Sequence, residues 1–223
     1  MTDDIKIDFQ RITDIHERQK KKSLLLRTEP IKERKARLKN LEKTILNFRQ
    51  RIAEAVSNDF KKPKLESDIS ELYPILTEIR HALSHIDRWC ESIKIDAPLT
   101  YLGTRSEIRF EPKGTCLIIA PWNFPVNLCL GPLVSCLAAG NTAVIKPSEL
   151  TPNTSKVIAE IIKETFDEDV VTVIEGDQHI SEQLLELPFD HIFFTGSPSV
   201  GKLVMKAAAE NLSSVTLELG GKS

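Results

Sequence analysis

The sequence predicts an α/β fold, a doubly wound and mostly parallel sheet preceded by long N-terminal helices. Three observations predict it. Five short apolar runs recur from Thr115 onward, and stretches of helical character separate them, the signature of βαβ units whose strands are buried on both faces. The first third instead carries apolar residues at helical spacing. Each apolar run is followed by a loop rich in Gly, Pro or Asn, at the carboxyl end of a strand, where sheets of this kind bind ligands.

In chain order, a first long helix is expected with Thr28 as N-cap and Pro30 in its first turn. Leu38, Leu41, Ile45, Phe48, Ile52 and Val56 form one stripe at alternating three- and four-residue steps. The run Lys61–Lys64 ends it. A second helix is expected from near Leu65 towards Trp89, with Ile69, Leu72, Ile75, Leu76, Ile79 and Leu83 turned inward. Two short exposed strands, around Tyr101 and Arg109, are expected to join through Gly103. The strands of the main sheet are read at Cys116–Ala120, Thr142–Ile145, Val170–Ile174, Ile192–Phe194 and Val215–Leu217. The expected organisation is a helical segment over 1–98, extended strands over 99–114, an α/β domain over 115–219, and the start of a further domain at 220–223.

Composition bounds the function. With 41% hydrophobic and 28% charged residues, the chain is an ordinary globular sequence. Its net charge of −2 is unevenly spread: Met1–Lys64 holds 18 Lys and Arg against 10 Asp and Glu. Those basic residues alternate with acids along a helix and lack interleaved aromatics, so a solvated face is expected and no nucleic-acid partner. No apolar run approaches the ~18 residues of a membrane span. The first ten residues lack a secretory apolar core, and a cytoplasmic location is expected. Cys90, Cys116, Cys129 and Cys136 show no metal-ligand spacing; they read as structural thiols, and no metal site is expected.

The loops carry the chemistry. Gly196-Ser-Pro-Ser-Val-Gly201-Lys202-Leu203 is one residue short of a P-loop. Leu203 stands where a hydroxyl should ligate Mg²⁺, and no strand ending in Asp follows. Leu203 is then an apolar helix position expected to pack on the sheet, and Lys202 a helix-surface lysine. What remains is strand, glycine turn and helix start, either a plain tight turn or an anion cradle of free N–H groups, with Ser197 adding a hydroxyl and Pro198 suited to the first helical turn. Pro147 sets Lys146 and Glu149 on one rim, where they can meet a ribose or merely cap a helix. In Ala120–Pro125, Trp122 and Phe124 flank Asn123 between two prolines. A stiffly held amide there can donate to a developing oxyanion, or the asparagine is only a turn residue. Glu218 ends the last apolar run before Gly220 and Gly221; half-buried, it would suit a general base, and the alternative is a surface carboxylate.

Together, "EPKGTCLIIAPWNFPVNL", "LAAGNTAVIKPSELTPN" and "FDHIFFTGSPSVGKLVMKAAAENLSSVTLELGGKS" resemble the aldehyde dehydrogenase superfamily, in matching order and spacing from about Ile31 to Ser223. The "KPSEL" form and the "MKAAAENLSSVTLELGGKS" wording look most like its class 3, fatty-aldehyde-type branch. The resemblance implies a Rossmann-like dinucleotide-binding domain lacking the usual glycine fingerprint, and NAD(P)-dependent oxidation of an aldehyde to a carboxylic acid. Asn123 would donate to the oxyanion and Glu218 would be the general base. Lys146 and Glu149 would hold the adenosine ribose. Trp122, Gly196 and Ser197 would line the pyrophosphate, and Gly201 would allow close packing. Glu149 would favour NAD over NADP by repelling a 2′-phosphate, although the branch uses both. The parent enzyme would be a homodimer or larger homo-oligomer. The family's nucleophilic cysteine lies a few dozen residues beyond "LELGGK", and none of the four cysteines matches it. The chain is therefore expected to be the N-terminal half of such an enzyme. The alternative is a truncated product that binds dinucleotide without catalysis.

Overall fold

A computed structural model describes residues 9–221. The readings placed on the first eight residues, and on the last two of segment 220–223, lie outside it. Helices α1 (Phe9–Arg27) and α2 (Ile31–Phe60) lead. Thr28 does not cap the second of these: its hydroxyl donates to Leu25 O (3.4 Å) at the end of α1, and Pro30 precedes α2 without a side-chain cap. A four-residue helix α3 (Lys64–Ser67), a π turn (Asp68–Leu72) and α4 (Tyr73–Trp89) follow without a break. Pro74 in the first turn of α4 has no N–H to continue the ladder, and Tyr73 N reaches back five residues to Asp68 O. The extra residue rotates the inward face. Ile75, Ile79, Ala82 and Ile86 are buried together with Glu71 and Leu72, whereas Ile69, expected inside, is 59% exposed.

The two short strands lie earlier than expected. They are β1 (Ile93–Ile95) and β2 (Ser106–Ile108), paired antiparallel, with Tyr101 in a 3-10 turn between them. The main sheet joins β3 (Thr115–Ile119), β4 (Thr142–Lys146), β5 (Val171–Val173), β6 (His191–Gly196) and β7 (Ser214–Leu219). All its pairings are parallel, in the order β5-β4-β3-β6-β7. The crossovers are α5 (Asn127–Ala139), α6 (Pro152–Thr165), α7 (Gln178–Leu185) and α8 (Pro198–Glu210).

Alternation along the strands splits the core in two. Cys116, Ile118, Ala143 and Ile145 face the layer built from α2, α4, α5 and α6. Leu117, Ile119, Val144, Ile192 and Phe194 face Ile12 and Ile15 of α1, Leu184 of α7 and Val204 and Ala208 of α8. Helices thus cover both faces, as a doubly wound sheet requires. The N-terminal layer is keyed to the sheet domain by polar contacts. Gln19 of α1 donates to Ala143 O (3.0 Å) and Glu168 O (3.1 Å). Asp59 at the end of α2 accepts from Asn153 N (3.2 Å) and Thr154 N (2.8 Å), capping α6 from outside its own segment. Cys116, Cys129 and Cys136 are buried and all four thiols are free. Burial pushes the Cys129 thiol up, and a hydrogen bond with Cys116 together with burial does the same for Cys136. Among the described residues no helix is long and apolar enough to cross a membrane.

Candidate functional site

The chain runs from β3 outward to β5, then returns to the other side of β3 for β6 and β7. The crossovers therefore reverse between β3 and β6, where a crevice opens beyond the strand ends. The loops after these two strands carry Trp122–Asn123 and Gly196–Ser197. All four residues, with Glu218, line one groove of about 1090 Å³. It runs between α5 and the face of the sheet made by Ile118, Phe193, Thr195 and Thr216.

The Gly196 turn is built for close approach. A Cβ on Gly196 would lie 2.4 Å from Cζ of Phe194, and one on Gly201 would lie 2.8 Å from Cδ2 of Leu219, so α8 sits directly against β7. Ser197 is the N-cap of α8, and its hydroxyl accepts from Val200 N (3.3 Å) and shares a proton with Ser199 Oγ (2.9 Å). Pro198 takes the first helical position. Next to the turn, Thr195 Oγ1 is buried without a hydrogen-bond partner. Lys202 is exposed. Leu203 does not pack on the sheet: it is 62% exposed, because Gly201, Val204 and Ala208 form the inward face of the helix.

Lys146 and Glu149 do not project side by side. Lys146 is 2% exposed and folds inward, donating to Pro147 O (2.8 Å) and Glu149 Oε2 (3.2 Å). It ends a strand buried along its whole length, and only Glu149 faces out. Glu218 is exposed rather than half-buried. β7 is the edge strand, and no helix of the described residues covers its groove face. It stands opposite Thr195 in the strand register. A Cβ on Gly220 or Gly221 meets nothing within 4 Å.

Trp122 is 51% exposed and leans on Phe60, with ring centroids 6.0 Å apart. Asn123 is exposed, and its carbonyl receives Lys62 Nζ at 3.5 Å. Sequence reasoning missed Lys62 and Glu71 behind this loop. The available signal was a charged residue at position 71 on the stripe of Ile75 and Ile79. It also missed His191 in the groove, whose ring nitrogens meet Ser214 Oγ (2.8 Å) and Thr216 Oγ1 (3.2 Å). Burial first, then Lys113, holds its imidazole below the ordinary value. Among the described residues no cluster of three or more His, Cys, Asp or Glu could hold a metal ion.

Residues 8–223 match the aldehyde dehydrogenase family model. The 4,4'-diaponeurosporen-aldehyde dehydrogenase of Staphylococcus aureus is 48% identical over 88% of this chain and 43% of its own length. Aldehyde dehydrogenase family 3 member B1 of Bos taurus is 45% identical over 88% of this chain and 42% of its own. Among solved structures, the substrate-bound state of Staphylococcus aureus AldH superposes with a TM-score of 0.91 at 45% identity, over 95% of this chain and 46% of that one. PnpE in complex with nicotinamide adenine dinucleotide gives 0.87 at 29% identity, over 97% and 44%. The chain thus spans about half the length of these relatives, family 3 members among them. With almost its full length matched by the family model, the chain belongs to the aldehyde dehydrogenase family.

Proposed function

We propose that this chain supplies the dinucleotide-binding half of an enzyme that oxidises an aldehyde to a carboxylic acid. The observation that carries the reading is the convergence of Trp122, Asn123, Gly196, Ser197 and Glu218 on one groove at the reversal point of a parallel sheet. The residues fit a dinucleotide. The first N–H groups of α8, the Ser197 and Ser199 hydroxyls and the unpartnered Thr195 Oγ1 offer donors and a positive dipole end to a pyrophosphate. Gly196 lets it approach, and Trp122 offers an exposed apolar wall. Glu149, paired through Lys146, accepts from ribose hydroxyls and repels a 2′-phosphate, which favours NAD over NADP. The dinucleotide, when bound, supplies the two-electron oxidant.

Asn123 donates its side-chain N–H to the oxygen of the reacting carbonyl as charge develops there. Glu218 takes a proton from the water that releases the acid. The nucleophilic thiol comes from the part of the family's length that this chain does not span: Cys116, Cys129 and Cys136 are buried, burial favours the protonated form of Cys129 and Cys136, and Cys90 sits at the end of α4 away from the groove. The whole protein is a homodimer or larger homo-oligomer of the cytoplasm acting on a small-molecule aldehyde substrate. A second reading rests on the half-length match: the chain alone binds dinucleotide without turnover.

Binding is tested on the chain itself, with Trp89→Phe leaving Trp122 as the single tryptophan. NAD should quench its emission saturably, and NADP more weakly. No saturable change up to about 1 mM, the upper end of usual enzyme affinities, would sink the cofactor assignment. In the full-length enzyme, Glu218→Gln should lower steady-state turnover by about 10²-fold or more while a stoichiometric burst of reduced cofactor survives. Ordinary turnover in that variant removes Glu218 from the role of base.

A further inference from the structure

We propose that Glu71, acting with Lys62, is a positioning residue for the loop that presents Asn123. The proposal rests on the reading of Asn123 as oxyanion donor. Glu71 sits on the π turn and is wholly buried. Its Oε1 takes Lys62 Nζ at 2.8 Å. Its Oε2 accepts from Val126 N (3.2 Å) and Asn127 N (3.0 Å). These are opening N–H groups of α5, which has no side-chain cap of its own. A carboxylate from another element therefore satisfies them and meets the positive helix end.

Lys62 closes the other side of the loop. Its side chain is only 9% exposed. The ammonium that pairs with Glu71 also donates to Asn123 O at 3.5 Å and stands 4.5 Å from the centre of the Phe124 ring. The segment between Pro121 and Asn127 is thus gripped twice, at the Asn123 carbonyl and at the α5 entry, by one buried ion pair.

Helix stability alone does not call for this arrangement. A Ser or Asp at the position of Val126 would cap α5 locally, and a buried ion pair is often no more stable than a well-packed apolar pair. What the pair does that a local cap cannot is couple the α5 entry to the Asn123 carbonyl. An oxyanion donor needs that, because misplacement by about 1 Å can cost about 10²-fold in rate.

The test is a cycle of Glu71→Gln, Asn123→Ala and their double variant in the full-length enzyme, with kcat and KM measured at saturating NAD. Glu71→Gln should lower kcat by about tenfold, within the range of positional effects, with KM for the aldehyde changed less than twofold. The double variant should be no slower than Asn123→Ala alone, because a residue that acts through Asn123 has nothing left to act on. Multiplied losses in the double variant, or an unchanged kcat in Glu71→Gln, overturn the proposal while leaving the oxyanion reading intact. An Asn123→Ala variant with ordinary kcat overturns that reading, and the proposal with it. If Glu71→Gln does not fold, Lys62→Met replaces it in the same cycle, since it leaves the Glu71 contacts to Val126 N and Asn127 N in place while removing the ammonium from Asn123 O, Phe124 and Glu71. In the Trp89→Phe chain, Lys62→Met should also raise the acrylamide quenching of Trp122. Unchanged quenching means that the loop is held without the ammonium and overturns the proposal.

Discussion

The two halves of the main sheet differ in how they are covered. The residues Ile145, Ile118, Phe193 and Thr216 follow one another in register across β4, β3, β6 and β7 on the same face. Ile145 and Ile118 are buried under the helical layer, at 0% and 1% exposure, with Ile118 at its border with the groove. Phe193 and Thr216 are only partly buried and line the groove. One side of the row is core and the other opens on the groove. The boundary falls at the reversal of the crossovers, so topology alone sets where the face is left open.

The largest effect that sharpens this contrast is a pair of truncations along the row. Ile145→Ala removes a fully buried side chain and should lower unfolding stability by about 2–5 kcal/mol. Phe193→Ala removes more carbon, yet should cost less than Ile145→Ala, because part of the ring is already in water and no closed cavity forms. Urea denaturation of the two variants measures both. A larger loss for Phe193→Ala would mean that this part of the groove is as closed as the core.

The same contrast explains what was legible in the sequence. Strands β3 and β4, buried along their whole length, appear as unbroken apolar runs, and their bounds fall within one residue of expectation. The loops after them could be located because the strands were. Orientation was less legible, because it depends on how the folded chain packs around each side chain. Nothing adjacent says that Lys146 folds back onto Pro147 O, or that the edge position of β7 leaves Glu218 exposed. Leu203 reads as core from its type, but the helix face that packs is fixed by Gly201 against Leu219. Glu71 was hidden for a related reason. Its partners lie on the turn before α3 and at the entry to α5, and neither is marked by the pattern of its own helix.

A smaller effect separates the halves by pH. His16 is 3% exposed, packs edge-on against Phe189 with ring centroids 4.8 Å apart, and leaves Nε2 without a partner. Burial first, then Lys20, lowers its pKa against the opposing Pro188 carbonyl, Asp190 and Glu17. His191 in the groove is lowered as well, by burial and then Lys113, with only the Ser214 backbone opposing. Both imidazoles therefore take up a proton less readily in the folded chain than in the unfolded chain, which does so near pH 6.5. Below that value the unfolded state binds more protons, so the stability present at higher pH is lost as pH falls through the window between the unfolded and the folded pKa. Thermal unfolding should show a lower midpoint at about pH 5.5 than at about pH 7.5. His16→Phe should flatten that dependence more than His191→Gln, because an imidazolium at position 16 has no water to turn to and one at position 191 faces an open groove. The reverse order would mean that the groove around His191 excludes water more completely than the packing around Phe189.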